Sequence, residues 1–401
     1  MHSEPIDPQQ LIATLNVSGL CRTAEDYFKA VNDHTFSMSK PFCSVTETPH
    51  YLYQLGLLLD GLKLHAGLTV LEFGAGVCWL SRLLNQLGLS TISVDPSITA
   101  LNVGRELFAK HPLITTCPPL DPPAFLEFNG HSIDLPDASV DRIVCFDSFH
   151  HVPNQQEVLA EFARVLRPGG IAGFSEPGRF HSQTVASQRE MRLFNVLEND
   201  ILVEEIAATA KSVGFTKVYC KLQLPVSHEV DVDAFLGSFT ACNPQHMQAL
   251  LDYNRAATIF FLQKGELRQD SRSAVGLAHA LRLLAPAPDR VHRLQVQTRL
   301  PLAVHCHNTG TATWLATARR AFGKVALGVG LLDQHKHPVQ PNFFRCPLPH
   351  DMAPGEEATL RFELPALPRG EYVLSFDMVA ERVSWFENLG ASPVFLRVVV
   401  E

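Results

Sequence analysis

An acid, two closely spaced glycines and a second acid are the residues whose types and spacing point most directly to chemistry. Val70-Leu71-Glu72-Phe73-Gly74-Ala75-Gly76 joins a strand-like run to a segment of helical period, and Asp95 closes the next strand-like run, Thr91-Ile92-Ser93-Val94. Glycines at a strand-to-helix turn let the backbone approach a ligand closely, and an acid after the second strand can accept both hydroxyls of a ribose. Together they predict a nucleoside-type cofactor at the carboxyl ends of the strands. A dinucleotide fingerprint needs a third glycine where Trp79 stands, a residue too bulky for close contact with a pyrophosphate. Glu72, two residues before the first glycine, suits a cationic ligand; with Trp79 it disfavours an NAD-dependent oxidoreductase.

A second group can move protons. His150 and His151 follow the strand-like Asp141–Phe146, and Glu176 follows the strand-like Ile171–Ser175. Histidine titrates near neutrality, and a partly buried carboxylate can also act as a base. These three are the candidate catalytic residues. The competing structural roles are packing or capping for the histidines and a solvated loop acid for Glu176. No metal is expected: His305-Cys306-His307 puts both imidazoles on one strand face, but no second ligand pair has matching spacing, and His335 and His337 lie in a polar turn. No cysteine occupies a recognisable nucleophile context.

These residues need a scaffold, and the patterning supplies one. Apolar positions 77, 80, 83, 84 and 87 form one helical face, and helical stretches are also predicted at Leu52–Leu62, 98–109, Gln155–Leu166 and Leu202–Val213. Strand-like runs at 69–73, 91–94, 141–146, 171–175, 217–222 and 257–262 alternate with them. That order predicts an α/β doubly wound sheet covered by helices.

Further segments fall in a familiar order. Asp134-Leu135-Pro136-Asp137 leads into the strand at 141, Phe149-His150-His151-Val152-Pro153 follows it, and Leu166-Arg167-Pro168-Gly169-Gly170 leads into the strand at 171. With Glu72, Gly74, Gly76 and Asp95, this series resembles the class I S-adenosylmethionine (SAM)-dependent methyltransferases of the small-molecule, type 11-like group. The resemblance implies a Rossmann-like, seven-stranded, mostly parallel sheet with SAM as cofactor. It implies cofactor contacts from Glu72, Gly74, Ala75, Gly76, Asp95, Pro96, Asp134 and Asp147. Where many relatives carry an acid at the adenine, Gly130-His131-Ser132 stands here, leaving His131, Ser132 or Asp134 for that contact. The implied activity is methyl transfer to a small-molecule or sugar-containing acceptor. The alternative is a methyltransferase-like binding or assembly module without transfer.

Composition fits these expectations. The 401 residues are 46% hydrophobic and 18% charged, enough for sizeable cores and too apolar for a mainly disordered chain. A net charge of −8 argues against a nucleic-acid partner. No secretory signal or membrane span is read, and nine cysteines without a CxxC pair suggest reduced thiols in a cytoplasmic protein. The texture changes near residue 270. From residue 271 onward there are 14 basic and 11 acidic residues, against 19 and 30 before it. The expected organisation is an N-terminal helical extension or lid at 1–50, a methyltransferase domain at 51–266, a linker at 267–290 and an all-β sandwich at 291–401. The last stretch resembles immunoglobulin-like modules appended to bacterial surface-polysaccharide enzymes and exporters. Trp314, Trp385 and Phe386 are read there as core residues; in a sharper reading Trp314 or Trp385 stacks on a sugar ring beside Asp377 or Glu381.

Overall fold

Strands buried on both faces read as continuous apolar runs and must be covered by helices on both sides. A computed structural model, which describes residues 4–115, 117–224, 232–233, 236, 244–287 and 290–401, shows how this chain does so. It divides into two compact units, Met1–Leu267 and Arg268–Glu401.

The first unit is built on β1 (Thr69–Phe73), β2 (Ser90–Asp95), β3 (Ala124–Glu127), β4 (Val140–Phe146), β5 (Leu166–Pro177), β6 (Lys217–Lys221) and β7 (Ala257–Gln263), in the order β3-β2-β1-β4-β5-β7-β6. The pairings from β3 through β5 are parallel, whereas β7 is antiparallel to both β5 and β6. The sheet is therefore mixed, not the mostly parallel one expected. Ile259 lies opposite Lys221 and Gln263 opposite Lys217, so β7 starts beside the carboxyl end of β6 and runs back along it.

Alternate residues of the central strands feed two cores. Val70, Val144 and Phe146 face α3 (Thr48–Gly61) and α4 (Trp79–Gln86); Leu71, Phe73, Ile143 and Cys145 face α6 (Gln155–Val165) and α8 (Val203–Ser212). α1 (Pro8–Ala30) starts at an Asp7 cap that accepts the Gln9 N–H, with Pro8 in the first turn. From α1, the Glu25 carboxylate accepts from Ser97 Oγ at 2.6 Å, Thr99 Oγ1 at 2.7 Å and the Thr99 N–H at 3.1 Å, at the start of α5 (Ile98–Lys110). The remaining helices are α2 (Thr35–Ser39), α7 (Val185–Phe194) and α9 (Pro244–Ala256).

The second unit is all-β. One sheet has the order β13-β10-β8, from β8 (His279–Ala285), β10 (Leu300–Asn308) and β13 (Glu357–Leu364). The other has β9 (His292–Leu294), β11 (Val325–Asp333), β12 (Pro338–Pro347), β14 (Gly370–Ala380) and β16 (Val394–Val400) in the order β12-β11-β14-β16-β9, with β15 (Ser384–Trp385) paired to β14. Val304 and Leu360 of the first sheet share one core with Leu327, Phe376 and Leu396 of the second. Residues expected as linker thus include a strand: β8 pairs with β10, where Leu283 is buried.

Trp314 and Phe386 lie in the core, as the simpler reading has them, and the sugar-stacking alternative does not fit Trp314. Trp314 and Phe386 are fully buried and meet edge to face at 5.5 Å. Trp385 is half-buried, with the Arg345 guanidinium over its ring at 4.6 Å. Asp377 is buried, 2.5 Å from His279 Nε2, and Glu381 pairs with Arg345. Neither acid is free beside an open aromatic face.

Candidate functional site

The strand order reverses direction between β1 and β4, the place where open α/β sheets bind ligands at their carboxyl ends. Here the turn after β1 holds Gly74 at φ +70° and Gly76 at φ +49°. A Cβ on Gly74 would lie 2.4 Å from that of Ser148, and one on Gly76 would lie 3.3 Å from the Phe28 ring. The carboxylate of Asp95, ending β2, accepts the Gly76 N–H at 2.7 Å and the Ser97 N–H at 2.8 Å, which locks the two strand ends together. Burial pushes its carboxyl up to about 6.

These groups open on a cavity of about 320 Å³. Gly74, Ala75, Gly76, Asp95, Pro96 and Asp147, six of the expected cofactor residues, line it. Tyr27 and Phe28 of α1 and Lys40 close another side, so the N-terminal extension forms part of the wall.

Two expected contacts lie elsewhere. Glu72 is buried beneath the turn, where its carboxylate accepts the Ser81 N–H at 2.8 Å in the first turns of α4; burial pushes it up to about 8. Asp134 is exposed and off the cavity wall, as are His131 and Ser132. Their loop folds back on itself and onto α6: Asn129 Oδ1 accepts the N–H groups of His131 and Ser132, and Glu161 accepts that of Ile133. Phe128, Gly130 and Asn154 occupy the wall instead. Phe128 follows a four-residue strand too short to show a period, so the sequence carried no signal for it.

Of the three candidate bases, His151 alone is on the cavity wall. Its Nδ1 is 2.5 Å from the Leu197 carbonyl oxygen. A ring nitrogen facing a carbonyl must carry its proton, so Nε2 is left as the acceptor. Glu176 is buried behind it, accepting the N–H groups of Ser148, Phe149 and His150 and lying 2.8 Å from His150 Nδ1. Burial pushes Glu176 up to about 7, and burial together with the nearby His151 pushes the His150 imidazole well below its ordinary value.

The fold also gathers residues the sequence did not single out. The Asn199 N–H donates to the His150 carbonyl, and Asp200 accepts the N–H groups of Phe180 and Ser182. Those bonds bring Glu198 and His181 to His150. Glu198 Oε2 is 2.7 Å from His181 Nε2 and 3.7 Å from His150 Nε2, and Oε1 is 3.7 Å from His151 Nδ1. Burial works against ionising Glu198, but the His181 bond and the surrounding imidazoles hold it below the usual carboxylate range. Glu198 also lines the cavity. Nothing in local spacing links residues 150, 181 and 198; only the return of the chain after β5 does.

Residues 71–174 match the family described as "Methyltransferase domain". That stretch of the first unit is thus similar to a methyltransferase domain, and it spans β1 through most of β5 of the sheet. The methyltransferase GfsG of Streptomyces halstedii is 32% identical over 117 residues, 28% of this chain and 39% of that protein. The demethylmenaquinone methyltransferase of Tropheryma whipplei is 30% identical over 122 residues, 30% of this chain and 47% of that protein. The chain therefore spans less than half the length of either relative. Among solved structures, phosphoethanolamine N-methyltransferase 2 of Haemonchus contortus, in complex with SAM, aligns at 16% identity with a TM-score of 0.38, covering 65% of this chain and 60% of that one. Among the described residues, no helix is long and apolar enough to cross a membrane.

Proposed function

We propose that the first unit is a SAM-dependent methyltransferase acting on a small-molecule or sugar-containing acceptor. The observation that carries this reading is the convergence of the Gly74-Ala75-Gly76 turn, the buried Asp95 carboxylate and His151 on one cavity. A SAM molecule fits the chemistry of that wall: the glycines leave room for close backbone approach, and Asp95 keeps lone pairs for ribose hydroxyls beyond its two backbone bonds. Bound SAM supplies an electrophilic methyl group on a sulfonium, so the chain's own task is positioning, exclusion of water and proton removal.

Each task has a residue. Asp95 orients the nucleoside, and Tyr27 and Phe28 shield the cavity. His151 Nε2, fixed as the acceptor by the Leu197 carbonyl, takes the proton of an acceptor hydroxyl or amine as the methyl is transferred. Glu176 and His150 hold the turn that carries His151, which is a positioning role. Glu72 braces α4 against β1 and acts on the cofactor only through that turn. The eight cysteines among the described residues are free thiols, which favours a reducing compartment such as the cytoplasm.

The reading is tested by incubating the full chain with methyl-labelled SAM and extracts containing sugar nucleotides and small metabolites, then identifying labelled products by mass. Transfer to a small or sugar-bearing product is the expected outcome. SAM binding without any transfer would favour the binding-module alternative.

A further inference from the structure

We infer that His150, His181 and Glu198 form a binding site for one first-row divalent cation. Each residue offers one donor atom, and the three atoms lie within 4.8 Å of one another. Two of the three side chains are almost fully buried: His150 is 6% exposed and Glu198 9%. A carboxylate removed from water in this way demands a compensating charge or several donors. Two imidazole nitrogens and one carboxylate oxygen match zinc, iron(II), cobalt(II) or manganese(II); magnesium and calcium favour all-oxygen sets.

The surroundings supply what such a site needs. Both Glu176 oxygens already accept backbone N–H groups, so its 2.8 Å contact with His150 Nδ1 places the proton on Nδ1 and turns Nε2 toward Glu198 as a bare donor. Metal-ligating histidines almost always have a carboxylate or carbonyl partner on the far nitrogen, which fixes tautomer and ring orientation. His151 takes no part through Nδ1, which faces the Leu197 carbonyl. Without an ion, the His181 Nε2 proton bridges to Glu198; when a cation takes that nitrogen's lone pair, the Nε2 proton passes to solvent and Nδ1 takes one up, so the ring stays a neutral ligand. Because Glu198 also lines the cavity, an ion held by these three residues would lie at the cavity wall. Its role there rests on the methyl-transfer reading: the cation binds an acceptor oxygen and lowers the pKa of its hydroxyl, so that His151 removes the proton more readily.

The test is titration of the metal-free, full-length protein with Co²⁺, followed by visible absorption and calorimetry, with a separate SAM titration of the same sample. One ion per chain is expected, without a thiolate charge-transfer band that cysteine ligation would produce. His181→Ala, at a partly exposed position, should weaken Co²⁺ binding about 100-fold or more, and Glu176→Gln about 10–100-fold. Absence of saturable Co²⁺ binding, or wild-type affinity in both His181→Ala and Glu198→Gln, overturns the site. SAM binding without Co²⁺ binding defeats the metal site alone; Co²⁺ binding without SAM binding supports the site and defeats the methyl-transfer reading.

Discussion

Asp95 joins the two halves of the proposed cofactor cradle, and its protonation state should be visible in binding. Burial holds its carboxyl near pH 6, so the charged form that accepts ribose hydroxyls most strongly forms only above that value. SAM affinity is therefore expected to fall as pH drops through about 6, and Asp95→Asn should flatten that dependence, as read by titration between pH 5 and 8. Asp95→Ala removes at least one bond worth about 1.5–3 kcal/mol, a loss of at least roughly 10–150-fold in affinity. His151 answers to a different measurement. His151→Ala should lower kcat by about 10²–10⁴ while the SAM dissociation constant stays within a few-fold of wild type, because its proposed task is proton removal and not cofactor binding. Loss of affinity with kcat intact would make it a binding residue.

At the scale of elements, two acids clamp neighbours together and respond to pH in opposite directions. Glu72 ties β1 to α4, and its folded value of about 8 exceeds the ordinary 4.5. Its protonated form favours the fold; this contribution is complete below about 4.5 and is lost as pH rises through about 8. Thermal midpoints of the cofactor-free protein should decline over that window, and Glu72→Gln should reduce the decline. Glu25 ties α1 to α5; burial opposes its ionisation, but the bonds from Ser97 and Thr99 prevail and hold it down to about 2. Its stabilisation is present above about 4.5 and lost as pH falls through about 2. Because α1 covers the cavity, Glu25→Ala should speed SAM dissociation by about tenfold, measurable by stopped-flow competition. Unchanged dissociation would mean that α1 closes the site without this clamp.

What the sequence disclosed at this scale follows from locality. The turn at Gly74–Gly76, the acid at Asp95 and helix α4 were legible because strand, glycines and helical period lie within one stretch of chain. The strands at 141–146 and 257–262 were legible as apolar runs. β3 was not, being four residues long with no buried residue. The antiparallel entry of β7 depends on how the chain returns from β6, which no local pattern records. Glu72 and Glu176 were expected in the site for their positions after or within site-bearing strands. The fold instead uses both as buried acceptors for backbone N–H groups. His181 and Glu198 escaped notice because their only signal is tertiary.

Across the whole molecule, separate cores predict separate responses. Trp314 is fully buried in the all-β unit, and its removal should cost that unit about 3–5 kcal/mol. In the full-length protein, Trp314→Ala should lower one calorimetric transition and leave the SAM-stabilised one in place. A single transition moved equally by the substitution and by SAM would show the two units unfolding as one.

The central claim is that the cavity beside Gly74, Gly76 and Asp95 takes SAM. Equilibrium titration of the full-length protein and its Asp95→Ala variant with SAM, run beside NAD, tests it most directly. The account predicts one SAM per chain, affinity weakened at least roughly 10–150-fold in the variant, and no saturable NAD binding. A wild-type protein that binds NAD and not SAM, or a variant that binds SAM as tightly as wild type, would contradict it.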